Sequence, residues 1–141
     1  MDTFSEIIKF LNEYITIPLF YFFLIVYFSK KLFKIEIIND VIITWVRYFI
    51  IGFSVFKLLN YIIGFLIIPE EFAFSNRATG PYWWAYWLML IGSLCFPLLL
   101  FIKRFKLSIG AITVVLFMIN IGRFFERFVI IVTSFHRDYL P

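Results

Sequence analysis

Lysine, arginine and glutamate act by pairing with opposite charge or by passing protons, and this sequence sets several of them inside long apolar runs. Arg47, Ser54, Lys57 and Asn60 fall in one run, and Asn120, Arg123, Glu126 and Arg127 in another. A charged side chain at the centre of a bilayer costs roughly 2.5–3.5 kcal/mol on insertion scales, so residues kept there mark ion-pair locks, proton relays or ligand sites. Ser54, Lys57 and Asn60 recur in steps of three and share a helix face. Asn120, Arg123 and Arg127 form one stripe, and Glu126 lies three residues after Arg123, within pairing reach. Thr113, Asn120, Arg127 and Ser134 recur every seven residues, a polar seam at coiled-coil spacing that suits helix–helix contact. Arg47 stands near the end of its run, where a long side chain snorkels to the interface.

Other chemistries find no support. The single cysteine, Cys95, makes no internal disulfide and has no metal-ligand spacing around it, which reads as a small buried side chain. His136, the one histidine, has no His or Cys neighbour, so no metal site is expected. Neither a Gly-rich phosphate loop nor a Cys-x-x-Cys pair occurs. By itself the chain is expected to hold no haem pair and no iron–sulfur cluster, and to perform no catalysis alone.

The elements that must position these residues are membrane helices. Of 141 residues 63% are hydrophobic and 16% charged, and the mean hydropathy is +0.96. Soluble domains average roughly 45–50% apolar and about 25% charged. Runs of about 20 apolar residues cross a bilayer as helices, and four are present, at about 14–33, 41–68, 82–102 and 108–134. The expectation is one domain, an all-α integral membrane protein built as a bundle of four transmembrane helices. Pro18 suits a first helical turn, and Pro97 predicts a kink near Gly92 and Ser93. Asp2 and Glu6 make the N-terminus acidic, and no small-residue cleavage site follows the first run, so no secretory signal is expected.

The net charge of +4 reflects topology better than nucleic-acid binding. Lys30, Lys31 and Lys34 follow the first run, and Lys103, Arg104 and Lys106 follow the third. The positive-inside rule puts those connections in the cytoplasm, and both termini and the 69–81 loop outside it. Tyr82, Trp83, Trp84, Tyr86 and Trp87 then form an aromatic belt at the outer interface. By helical rise Glu126 lies roughly 12 Å, and Lys57 roughly 16 Å, inside the outer ends of their helices. Helices two and four are therefore expected to face each other or a partner, with a Lys57–Glu126–Arg127 cluster in the outer half. That cluster is either a static ion-pair lock or a proton- or quinone-linked site.

The stretch FAFSNRATGPYWWAYWLML, residues 72–90, resembles a segment of the NrfD/polysulfide-reductase membrane subunit family, most closely its ActC branch from alternative complex III. The end, NIGRFFERFVIIVTSFHRDYLP, resembles the same family at the matching distance. Asn120, Gly122, Glu126, Arg127, Phe128, Ser134, His136, Arg137, Asp138, Leu140 and Pro141 match, whereas Arg123 and Phe124 replace a Met-Trp pair. Family members carry eight to ten helices in two bundles, and this chain resembles the second bundle alone. It is thus expected to be a split or shortened product, a paralogue or a remnant. The family's quinol pocket is attributed mainly to the first bundle, and Lys57 and Asn60 stand where an acidic residue is usual. That departure bears on an intact proton path.

The resemblance implies a non-autonomous subunit of a quinol:acceptor oxidoreductase in the bacterial inner membrane, part of a respiratory chain. It implies no cofactor bound by this chain, with menaquinone or ubiquinone at an interface. The implied partners are other membrane subunits, including a first-half NrfD-like chain, an outer-face iron–sulfur subunit and lipids, with no nucleic acid. Arg77, beside the Gly80–Pro81 turn, and His136, Arg137 and Asp138 are the implied docking residues. Lys57, Asn60, Asn120, Arg123, Glu126 and Arg127 are the candidate buried polar path. The competing readings are a four-helix transporter or channel and a structural or assembly subunit.

Overall fold

Apolar runs of this length satisfy their backbone without water by winding into helices. The computed structural model describes residues 2–34, 36, 38–67, 79–80, 83–105 and 107–137, with the side chains of residues 2, 67, 103, 129 and 132–137 outside that description. In chain order the elements are α1 (Asp2–Leu11), a π-turn (Asn12–Thr16), α2 (Ile17–Phe33), α3 (Asp40–Ile67) and α4 (Trp83–Leu94). Two 3₁₀ segments follow, Phe96–Phe101 and Lys103–Phe105, and then α5 (Ile109–Arg137). Four spans, Thr3–Phe33, Asp40–Leu66, Trp83–Phe101 and Ile109–Phe128, are long and apolar enough to cross a membrane. The chain has the architecture of a multi-pass membrane protein, an all-α bundle of four helices.

Three boundaries differ from the hydropathy reading. The first helix starts at Asp2, not near residue 14, because amphipathic residues before the apolar run continue its winding. Pro18 therefore begins only the second part of an already helical span. Its missing N–H would have bonded four residues back, and the π-turn immediately before it absorbs that defect. The third helix stops being α-helical at Leu94, three residues before Pro97, and continues as 3₁₀. The fourth runs to Arg137.

Polar ties set the register of the bundle. The Thr113 hydroxyl lies 3.4 Å from the Phe23 carbonyl, and that of Thr16 3.2 Å from Asn120 Oδ1. Arg123 pairs with Glu13. Each step along α5 is matched by an equal step back along the first span, so the two run antiparallel. On the second and third spans, Ser54 meets the backbone at Ser93 and Leu94, and Tyr61 meets Tyr86, again antiparallel. Gly92 and Gly122 bring α4 and α5 together: a Cβ on Gly92 would sit 3.3 Å from the Met118 carbonyl.

α5 packs mainly on α2 and α4, and only lightly on α3. The expectation was that the second and fourth helices face each other or a partner; its first half is corrected accordingly, because Thr113, Asn120 and Arg123 of α5 meet the first span instead. The tight core joins Phe20, Phe23, Ile43, Ile50, Leu100, Ile112, Leu116 and Ile119. It fills the half of the bundle near the 34–40 and 102–108 connections. The half near the termini is built differently.

Candidate functional site

Pro97 begins the local logic of the site. It has no N–H for the Ser93 carbonyl, and the Leu98 N–H turns to Cys95 at 3.0 Å, leaving Leu94 unserved as well. The Ser54 hydroxyl, 2% exposed, lies 3.2 Å from the Leu94 carbonyl and 3.5 Å from that of Ser93. Ser54 thus stabilises the break in the third span. Cys95 sits at this break and is exposed, not buried as expected.

Beyond the break, towards the termini, the four spans part around a cavity of about 610 Å³. The first span contributes Ile8 and Asn12; α3 contributes Lys57, Asn60 and Tyr61. α4 supplies Tyr86, Met89, Leu90, Ser93 and Leu94. α5 supplies Ile119, Gly122, Arg123, Phe125 and Glu126. The volume is that of a small-molecule site, and the walls are largely apolar with a few convergent polar groups. The Tyr61 and Tyr86 hydroxyls lie 2.6 Å apart across the second and third spans.

Of the sequence-predicted residues, Lys57, Asn60, Arg123 and Glu126 come to this one cavity, although not in the expected pairs. Among the described residues neither Lys57 nor Glu126 is in an ion pair; the pairs are Lys30–Glu36 and Arg123–Glu13. The Lys57 ammonium lies 5.5 Å from the Phe53 ring centroid, a cation–π contact. Arg123 reaches to Glu13 on the first span rather than to Glu126 on its own helix. Glu126 lines the α5 wall but is exposed rather than buried as expected, and among the described residues it is in no ion pair.

Other predicted residues go elsewhere. Asn120, 1% exposed, donates to the Leu116 carbonyl at 2.9 Å and faces Thr16. Thr16 has one proton and three oxygens in reach, those of Asn12 O, Asn12 Oδ1 and Asn120 Oδ1. Turning the Asn12 amide lets its NH₂ donate to the hydroxyl, while the Asn120 NH₂ stays on Leu116, which satisfies the group. Arg127 is exposed and lies off the cavity, so it does not join the expected cluster. His136 and Arg137 belong to α5, but their side chains lie outside the described residues, as do Arg77, Asp138 and the Ser134 side chain.

Arg47 does not snorkel. It lies on the inward stripe Ile43–Arg47–Ile50–Ser54, is 6% exposed, and its Nε is buried with no hydrogen-bond partner among the described residues. Its guanidinium carbon is 4.7 Å from the Tyr48 ring centroid. Glu13, Asn12, Tyr61, Tyr86 and this burial of Arg47 escape a hydropathy reading. Glu13, Thr16, Phe20 and Phe23 do recur at helical steps, and that spacing carries the signal for Glu13. Among the described residues no three His, Cys, Asp or Glu side chains gather as a metal site. Comparisons with protein-family models, curated proteins and solved structures match nothing to this chain.

Proposed function

We propose that the chain is a non-autonomous, NrfD-like membrane subunit of a quinol-oxidising electron-transfer complex in a bacterial inner membrane. Its contribution is a largely apolar cavity carrying a few charged groups inside the membrane, rather than a redox centre of its own. The observation that carries this reading is the cavity, where Lys57 and Glu126, in no ion pair among the described residues, stand on different helices among largely apolar walls. An amphiphile with a ring-sized polar head, such as menaquinone or ubiquinone, fits such walls. It places an acceptor at Lys57 and a donor at Glu126. Glu126 also supplies a proton-holding group part-way across the bilayer.

The partners in this reading are further membrane subunits, including a first-half chain, and an outer-face iron–sulfur subunit docked through Arg77, His136, Arg137 and Asp138. The termini and the 69–81 loop face outside the cytoplasm. A channel is the weaker alternative, because the core at Phe23, Ile50, Leu100 and Leu116 packs tightly across the rest of the bundle. Purification in mild detergent with quinone extraction tests the reading. Bound quinone together with haem and iron–sulfur partners is expected. A stable lone oligomer without either overturns it. If Glu126→Gln leaves both assembly and coupled proton uptake intact, the proton role fails.

A further inference from the structure

The spacing on α5 assigns Arg123 to Glu126, three residues on, yet Arg123 crosses to Glu13 of the first span. Two tethers lie one turn apart on these helices: Thr16 against Asn120, and Glu13 against Arg123. The π-turn at Asn12–Thr16 carries Glu13 and Thr16 together, with the Thr16 hydroxyl also 2.8 Å from the Asn12 carbonyl. Widened turns of this kind are frequent at functional sites. One turn further along α5, Glu126 has no carboxylate-binding partner among the described residues. Lys57 lines the same cavity without pairing to it, and Lys9, on the exposed side of α1, forms no ion pair with it among the described residues.

We propose that Glu13 is the positioning residue of the cavity: by holding Arg123 it leaves Glu126 as a free carboxylate on the cavity that the Lys57 ammonium also lines. The site then presents one anionic and one cationic pole to whatever occupies it. This rests on reading the cavity as the functional site. Without Glu13, Arg123 is a cation with no partner beside a carboxylate three residues away on the same wall. The two opposite charges attract, and α-helical spacing permits their contact. The negative pole is then lost although no cavity residue has changed.

The test is labelling of the full-length protein in membranes with dicyclohexylcarbodiimide, read at Glu126 by peptide mass. In this reaction the carboxyl group gives its proton to a reagent nitrogen and adds through oxygen to the carbodiimide carbon, and the adduct rearranges to a stable N-acylurea; a bound guanidinium blocks the addition. Glu126 of the unaltered protein is expected to label, and Glu126→Gln to remove the signal. Glu13→Gln is expected to lower labelling several-fold, and Glu13→Asp to keep it near the original level. The double variant Glu13→Gln/Arg123→Gln is expected to restore it, which a general loosening of the helices would not do. Full labelling in Glu13→Gln, no labelling in the unaltered protein, or no recovery in the double variant overturns the proposal. The readout does not involve quinone, so a complex purified without quinone sinks the functional reading while this labelling pattern stands or falls separately.

Discussion

At the scale of single residues, Asn120 shows how a buried amide joins two membrane helices. It is 1% exposed and shares its polar atoms between Leu116 and Thr16. Interhelical hydrogen bonds in membranes contribute about 0.6 kcal/mol on average and at most about 1.7. Asn120→Ala is expected to destabilise by about 1–2 kcal/mol, the lost bond plus a small void, in denaturant titrations of the detergent-solubilised protein. Arg47 behaves oppositely. Its buried Nε lacks a partner, and the cation–π contact with Tyr48 offsets only about 0.5–2 kcal/mol of its desolvation. Arg47→Met is expected to be neutral or to stabilise the isolated chain by ~1 kcal/mol or more in the same titration. A clear loss of stability would mean that Arg47 is paired in the membrane.

Two glycines separate contact distance from cost. A Cβ at Gly122 would sit 2.7 Å from Met89 Cε, the far end of a flexible side chain that can swing aside. A Cβ at Gly92 would sit 3.3 Å from the Met118 backbone oxygen, which can retreat only if α5 moves. Gly92→Ala is therefore expected to cost about 1–3 kcal/mol, and Gly122→Ala markedly less, despite the shorter contact at Gly122. Equal costs in parallel unfolding curves would contradict this ranking.

At the scale of elements, the third span is a helix broken by Pro97 and repaired from its neighbour. Ser54 serves carbonyls that Pro97 and the 3₁₀ turn leave open. Ser54→Ala is expected to cost about 1–3 kcal/mol, the penalty of an unsatisfied buried carbonyl. In a Pro97→Ala background the helix can close its own ladder, so the same Ser54→Ala change is expected to cost little. Additive losses in that double-mutant cycle would show that Ser54 acts by packing instead. The first span makes a similar compromise, with a π-turn ahead of Pro18 in an otherwise continuous helix.

At the scale of the whole molecule, the bundle is packed at one end and open at the other. Core side chains from α2, α3, the first 3₁₀ segment and α5 close the half near the connections. The half near the termini carries the cavity. With four crossings, Ser5 near the start of α1 and Thr79 between α3 and α4 lie on one side, opposite Lys31 and Arg104. In a Cys95→Ala background, cysteines at Ser5 and Thr79 are expected to react with an impermeant maleimide added outside intact cells. Cysteines at Lys31 and Arg104 should react only after permeabilisation. The reverse pattern would invert the proposed orientation.

The four helices were readable in the sequence because lipid leaves the backbone one solution, and runs of about 20 apolar residues announce it. The buried charges and amides were readable for the same reason: a polar group in an apolar run stands out against its neighbours. Their partners were not. Arg123 has an acid three residues away, but it pairs with Glu13 far off in the chain, because the antiparallel register of α5 on the first span brings that carboxylate closer. Lys57 and Glu126 share a cavity rather than a salt bridge, because α5 packs on α2 and α4 rather than against α3. Hydropathy is a property of each segment by itself. Which charges meet depends on helix order, rotation and the defects at Pro18 and Pro97, and only the packed bundle decides those.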